Sequence, residues 1–438
     1  MKRQLLIIYF LISTIVIFAE PVIIHISPTG SSDITVDGLS WENAVSLERG
    51  RNLVNFYNTQ NPAVANEVWA KAGTYTLTTD AFQMTIPMTI YGGFAGTETL
   101  LSERNWKINQ TILHQSNATK GVIFSNIEAE ATFDGWILEN GSKTSAGSCG
   151  TLYPGGTLRN CIIRNNKTTG AGVLLFTGIA GSTKKITIDN CLIINNECGI
   201  SPVVTQIAAN ALVDVINTTM ANNLCTATGT GVAIGISTAT GVTINLVNSI
   251  VYGNQMGDQT IPTSVAATNA VKNLYNNAWD VAATNGTRAN NILLTETPFN
   301  APTPFLGIAN GTTKMFTAID TSDFSLKNGS SCINAGDNSY VTRTTDLAVN
   351  TRILNNTVDI GCYEYAVSTS VPNIKTLGLT VTGNTISLPE YALGKTIQLF
   401  NASGMEIKQF KAENRSFSIS GKGVFIVKVS NDIYKVIL

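Results

Sequence analysis

The chain has 438 residues, enough for a large core or for several domains. Only 13% of them are charged, against roughly 25% in an average globular domain. Lys and Arg number 28 and Asp and Glu 29, a net charge of −1, so nothing in the balance favours nucleic acid. Lys2 and Arg3 precede a largely apolar run of 14 residues, 5–18. That run is too short for an ordinary transmembrane helix and reads as a signal peptide, residues 1–19, cleaved after Ala19. No later stretch reaches ~18 apolar residues, so the mature chain is expected to be soluble or surface-attached, with no transmembrane segment. Residues 22–26, 68–70 and 88–91 read as strands. Residues 47–57 are the best helix candidate, suited to cap the open end of a coil.

Between Phe133 and Asn254 five segments superpose on one polar residue. Two of them read Arg-Asn-Cys-Ile-Ile-Arg-Asn-Asn (159–166) and Asp-Asn-Cys-Leu-Ile-Ile-Asn-Asn (189–196). The shared positions are Asp134, Asn160, Asn190, Asn217 and Asn248, spaced 26, 30, 27 and 31 residues apart. A repeat of that length means stacked supersecondary units. Apolar residues stand two before the polar position (Leu158, Ile188, Val215, Leu246) and three after it (Ile163, Ile193, Met220, Val251). Small ones stand one after it: Gly135, Cys161, Cys191, Thr218 and Ser249. This is strand periodicity bent at a fixed corner. Asn tolerates the left-handed backbone of such a corner. Asn160, Asn190, Asn217 and Asn248 are expected to form a ladder at roughly 4.8 Å spacing. The fold class is all-β, a parallel β-helix over residues 20–366, its first part an N-terminal cap; the resemblances given below imply its right-handed, pectate-lyase-like form. Residues 273–277 and 290–294 read as further rungs, 255–269 and 295–313 as loops.

Val371-Pro372 ends a linker, 367–371. Residues 372–438 then show about seven short strands separated by turn signals, a small β-sandwich. This tail holds 8 Lys and Arg against 4 Asp and Glu, a net of +4.

Three stretches carry a family resemblance. Ile26-Ser-Pro-Thr-Gly, Asp37-Gly-Leu-Ser-Trp41-Glu-Asn-Ala44, Glu67-Val-Trp-Ala-Lys-Ala-Gly-Thr-Tyr75 and Ile90-Tyr-Gly-Gly-Phe-Ala-Gly-Thr-Glu98 resemble the N-terminal module of secreted right-handed β-helix proteins of Bacteroidota. Ser331-Cys-Ile-Asn-Ala-Gly-Asp337, Asp346-Leu-Ala-Val-Asn-Thr-Arg352 and Val358-Asp-Ile-Gly-Cys-Tyr-Glu-Tyr365 resemble the closing segment of the choice-of-anchor group of surface β-helix proteins. The family's Gly-Asn-Pro-Arg turn is Val349-Asn350-Thr351-Arg352 here. Ile397-Gln-Leu-Phe-Asn-Ala-Ser-Gly404, Gly423-Val-Phe-Ile-Val-Lys-Val429 and the terminal Lys435-Val-Ile-Leu438 resemble the C-terminal sorting domain of the type IX secretion system. The last resemblance implies the type IX machinery as partner through 372–438, and a secreted or outer-membrane surface-attached protein.

Candidate chemistry is sparse. There are two His, His25 and His114, in different modules, too few for a His-rich metal site. The repeats offer the carboxylates Asp134, Glu139, Asp189, Glu197 and Asp214, and Asp189 faces Arg159 as a cross-rung ion pair. If the closing turns hold a cation, Asp346 and Asp359 are the candidates and Ca2+ the ion. Seven Cys is an odd number for an exported chain; Cys161 and Cys191 are expected to pack as small apolar residues, and Cys332 with Cys362 is a possible disulfide.

Two residues after each corner stand Trp136, Ile162, Leu192, Thr219 and Ile250, a column expected to face outward. Such a stripe is covered or used. Covered, it lies under loops of the long repeats. Used, it is a groove floor with Trp136 stacked on a sugar ring, Ile162 and Leu192 beneath the ligand and Arg164 beside it. The functional expectation is a non-catalytic adhesin or glycan-binding protein with a glycan or host-surface ligand. The alternatives are a polysaccharide lyase or glycoside hydrolase on the same coil, and an architectural stalk.

Overall fold

The computed structural model describes residues 21–437 except 62–65, 126–127, 228–231, 237–239, 258, 261–262, 267–269, 284–285, 303–321, 367–378, 402–404, 420, 422 and 430–431. The signal peptide and linker expectations fall outside the described residues. The chain divides into two compact units between Tyr365 and Ala366.

The first unit is a parallel β-helix. One sheet joins ten strands from Ile23–Ser31 to Thr287–Ala289, and a second joins nine from Gly73–Leu77 to Ile292–Leu293. A back sheet of seven runs from Phe82–Met84 to Thr263–Ala266. All pairings in these three sheets are parallel. A short fourth sheet, from Ser142–Lys143 to Gln259–Thr260, edges the second corner. Residues 255–269, expected as loop, supply Gln255–Met256, Gln259–Thr260 and Thr263–Ala266, which pair onto the coil. Helix Leu47–Gln60 starts where the Ser46 hydroxyl accepts from the Arg49 N–H. Its Leu47, Leu53 and Val54 bury against Ile24, Ile26 and Val45, closing the first rung.

Two corners of the rungs are marked by asparagine. At the first, Asn160, Asn190, Asn217 and Asn248 take φ of 50, 55, 47 and 49, the left-handed region. Most other residues would lose ~1–2 kcal/mol there. Asn276 and Asn290 (φ 52 and 55) continue the column, so the rungs expected after Asn254 are present. The first member needs correction. Asp134 stands in register with Arg159, and Ile137 with Ile162. The corner partner of Asn160 is therefore Gly135 at φ 80, and the spacing is 25 residues rather than 26. Glycine adopts that backbone without cost, so the corner carries no polar mark in the sequence.

The continuous amide ladder lies at the second corner, one turn beyond the expected one. Asn166, Asn196, Asn223 and Asn254 are fully buried. Asn166 Nδ2 donates to Asn196 Oδ1 at 3.0 Å, Asn196 to Asn223 at 2.9 Å and Asn223 to Asn254 at 2.9 Å. Each Oδ1 also accepts the backbone N–H of the rung before: Gly141, Asn166, Asn196 and Asn223. At the first corner only part of a ladder forms. Asn160 bonds Asp134 and Asn190, each at 2.7 Å. Among the described residues Asn217 Nδ2 has no partner, and Asn248 turns instead to the backbone of Asp337.

Inside, the stacked columns Leu158, Ile188, Val215, Leu246 and Ile163, Ile193, Met220, Val251 share one core. Each such side chain contributes roughly 1.5–3 kcal/mol by burial. Cys161, Cys191, Thr218 and Ser249 also point inward, and each of the last three accepts the N–H of its predecessor in the column.

The second unit is an antiparallel sandwich. Thr380–Thr382, Thr385–Ser387 and Ser416–Ser418 form one sheet; Glu406–Lys411, Thr396–Asn401, Val424–Val429 and Asp432–Ile437 form the other. Ile386, Leu388, Ile397, Leu399, Val427 and Val429 are buried in its common core.

The two corners respond differently to mutation. Asn196→Ala removes a buried amide with partners on both sides, at ~1–3 kcal/mol for each orphaned group. We expect a loss of about 3 kcal/mol in denaturant unfolding. Asn217→Gly keeps the backbone conformation and loses no Nδ2 bond, so its change should stay within about 1 kcal/mol.

Candidate functional site

The outward face of the second sheet is where the sequence places a groove. Register decides what it presents. Because the first rung is shifted by one residue, Trp136 occupies the inward position that Cys161 takes one rung later. It is 1% exposed, between Tyr75 and Phe133, and its indole donates to the Ile90 carbonyl at 3.1 Å. The expected stacking platform is a core residue, and that expectation is corrected. The true outward column is Ile112, Ile137, Ile162, Leu192, Thr219, Ile250 and Ala278.

From Leu192 onward this column is covered, not by loops of the repeats but by the closing segment. Leu192, Ile194, Ala221, Ile250 and Ala278 share a second core with Phe299, Phe324, Leu326, Cys332, Leu347, Ile360 and Cys362. The Gly361 N–H donates to the Asn248 carbonyl at 2.8 Å, and the Cys362 N–H to Thr219 Oγ1 at 3.2 Å. The Trp106 indole donates to the Leu347 carbonyl at 2.9 Å. Gly361, at φ 105, sits so close that a Cβ would lie 2.7 Å from Ile250 Cδ1. Leu192 is thus unavailable to a ligand, and Ile162 is half-buried against the same core. Arg164 is committed as well: its Nε donates to Glu139 at 2.9 Å, and Glu139 also meets His114 Nδ1 at 3.0 Å.

The closing segment is held by buried charge. Asp346 accepts the N–H groups of Asn350 (2.7 Å) and Glu364 (2.9 Å). Asp359 accepts those of Asn334 and Tyr365, one on each oxygen. Arg352 Nη2 donates to the carbonyls of Gly361 and Asp359, and its Nε lies 3.5 Å from Glu364. A hard cation needs several oxygens facing one open point. These oxygens already face N–H donors, so Asp346 and Asp359 do not fit a Ca2+ site, and among the described residues no group of three metal-ligating side chains converges. Burial raises the pKa of Asp346 and Asp359, and raises Glu364 to about 8 against the pull of Arg352. Cys332 and Cys362 are free thiols buried in the same core, and burial raises both to about 12. The Cys332 carbonyl accepts from the Ile360 N–H, and no Cys332–Cys362 bond joins the two thiols. The disulfide expectation is corrected accordingly.

On the outer face of the first sheet the expected Arg159–Asp189 pair is in register but long, at 3.9 Å. Asp189 bonds more closely to Arg343 (3.0 Å) and Thr342 (2.9 Å) from the closing segment. Asp134 pairs with Arg104 at 2.7 Å. Arg104 and Arg343 lie in aperiodic segments, so no spacing marks them in the sequence. Glu197 pairs with Lys167 (3.1 Å) and Asp214 with Lys185 (2.7 Å). All five repeat carboxylates are therefore ion-paired.

No protein-family model matches the chain, and no curated protein matches it. Among solved structures it is similar to the crystal structure of pectate lyase Pel9A, at 14% identity and a TM-score of 0.33, over 80% of this chain and 97% of that one. A likeness at that level says nothing about chemistry.

The raised Glu364 pKa sets a pH dependence. A carboxyl that binds its proton more tightly folded than unfolded stabilises the fold at low pH, and that contribution fades as pH rises. The melting temperature of the first unit should therefore fall between about pH 5 and pH 8, the interval below the Glu364 value. Glu364→Gln, neutral throughout, should make that slope shallower in thermal melts.

Proposed function

We propose that this is a secreted or outer-membrane surface-attached β-helix protein that binds and does not cut: an adhesin or glycan-binding protein carried out by the type IX secretion machinery through its C-terminal sandwich. The observation that supports the non-catalytic reading is the pairing of Asp134, Glu139, Asp189, Glu197 and Asp214 with Arg, Lys or His. Glycoside hydrolysis needs two carboxyls, one held protonated and one free to attack or to activate water. Carboxylates neutralised by guanidinium or ammonium groups are poor at either task. The export reading is supported by the resemblance of residues 372–438 to sorting domains and by a tail that forms its own compact core.

A glycan array on the mature protein, followed by product analysis of every polysaccharide retained, tests the first part. Binding without shortened products is expected; unsaturated or reducing-end products would establish the lyase or hydrolase alternative instead. Deleting residues 372–438 tests the second part, since a unit with a separate core leaves the coil folded. The truncated chain should remain inside the cell envelope. Its appearance on the cell surface would remove the sorting role.

A further inference from the structure

At the start of the coil, remote in sequence from the covered face, an open cleft of about 530 Å³ lies among His25, Trp41, Glu42, Trp69 and residues 96–99. Its floor is a register column: His25 on the first strand of the coil stands beside Trp69 on the second. Its walls are two loops, 37–44 and 95–99. Both are fixed by their own side chains. Asp37 accepts the Leu39 N–H at 3.0 Å and the Asn43 amide at 3.3 Å. Glu98 accepts three consecutive N–H groups, of Ala95, Gly96 and Thr97, at 2.6–2.9 Å. The Trp41 indole then ties the loops together by donating to the Glu98 carbonyl at 2.9 Å.

We propose that this cleft is a carbohydrate-binding site for a neutral pyranose ring, and that it is the site through which the binding function proposed above operates. Four features carry the assignment. Its size falls within the ~300–1,000 Å³ of small-ligand sites. Trp41 is half-buried, edge-on to His25 with ring centres 4.5 Å apart and tilted on Phe94 at 5.5 Å, so a rigid indole lines the cleft where the C–H face of a sugar can rest. Trp69 stacks on Phe94 at 4.7 Å and backs that aromatic wall. Around it stand groups suited to sugar hydroxyls: the exposed Glu42 carboxylate, and the hydroxyls of Ser40, Thr97 and Thr99. His25 Nδ1 lies 3.3 Å from the Gly38 carbonyl, which accepts, so Nδ1 holds the hydrogen and Nε2 is an acceptor. Burial lowers the His25 pKa, against the raising effects of the Gly38 bond and the Glu42 charge, which keeps the ring neutral at neutral pH.

Charge sets the class. The lining holds two carboxylates, Glu42 and Glu98, and no Lys or Arg; Lys71, whose chain passes Gly96, is outside it. A uronic acid would bring its carboxylate beside Glu42 with no guanidinium or ammonium in the lining to receive it. The cleft thus favours neutral hexose, pentose or N-acetylhexosamine units over polygalacturonate or alginate.

The test titrates the full-length mature protein with neutral tetrasaccharides of the manno-, gluco-, xylo- and N-acetylglucosamine series and with tetragalacturonate, reading tryptophan fluorescence and calorimetric heat. A neutral series should bind and tetragalacturonate should not. Trp41→Ala should weaken binding at least tenfold. Glu42→Lys changes an exposed side chain and preserves the fold even if Trp41→Ala does not; it should weaken the neutral ligand severalfold and admit tetragalacturonate. A parent that binds a neutral glycan unchanged in both variants, judged on Glu42→Lys alone if Trp41→Ala misfolds, overturns the site while leaving the binding function intact. A parent that binds only tetragalacturonate overturns the ligand class. A parent that binds no sugar of either kind overturns both this site and the glycan-binding reading.

Discussion

The structure depends on asparagine in two roles at the corners: a left-handed backbone at the first and a buried, fully bonded amide at the second. Asn160, Asn190, Asn217 and Asn248 make the first turn possible; Asn166, Asn196, Asn223 and Asn254 hold the second. Each rung is too thin to bury a core alone, so everything rests on neighbours stacking in register. A buried amide that accepts the N–H of the rung before it and donates to the amide of the rung after it fixes that register. A slip of one residue would leave both unpaired and would turn every inward side chain outward.

Register then determines what the surface offers. The second sheet points Leu192, Thr219, Ile250 and Ala278 outward, an apolar face that water would not tolerate uncovered. Residues 323–365 supply the cover, seating Gly361 on Ile250 and bonding to Asn248 and Thr219. Two of the corner asparagines thereby reach the cover, one of them, Asn190, while keeping its bond to Asn160. Asn248 leaves its column to bond Asp337, and Asn190 lies beside residues 345–347 and 362. The coil is closed sideways by its own chain, and the groups that hold the cover, the Arg352 guanidinium on the Gly361 carbonyl and Arg343 on Asp189, belong to the fold.

The coil itself is legible in the sequence because its signal is periodic: a polar corner, a small residue, and apolar residues two before and three after. The same rule misplaces its first member. Gly135 turns the corner by lacking a Cβ, and the adjacent Asp134 imitates the missing asparagine; that single residue moves Trp136 from the inside to the outside. The second ladder is the last Asn of four segments, but strand alternation does not distinguish a buried amide from a solvated one. What covers the second sheet is not legible at all. The contact of Gly361 with Ile250, or of Arg343 with Asp189, joins residues more than a hundred apart and leaves no spacing to read. The aromatic cleft is half legible: Trp41 and Trp69 lie in motifs that the resemblance singles out, while their convergence with His25 and Glu98 is a product of the two loops.

Residues 323–365 seal the second sheet in the native state. Alkylation of the native protein, read residue by residue by mass spectrometry, tests it most directly. Cys332 and Cys362 are free thiols at the centre of the sealed face, with raised pKa and no route to reagent. Both should stay unmodified until the fold is denatured and then react fully. Rapid labelling of either thiol in the native protein, or recovery of the two as a disulfide, would contradict the account.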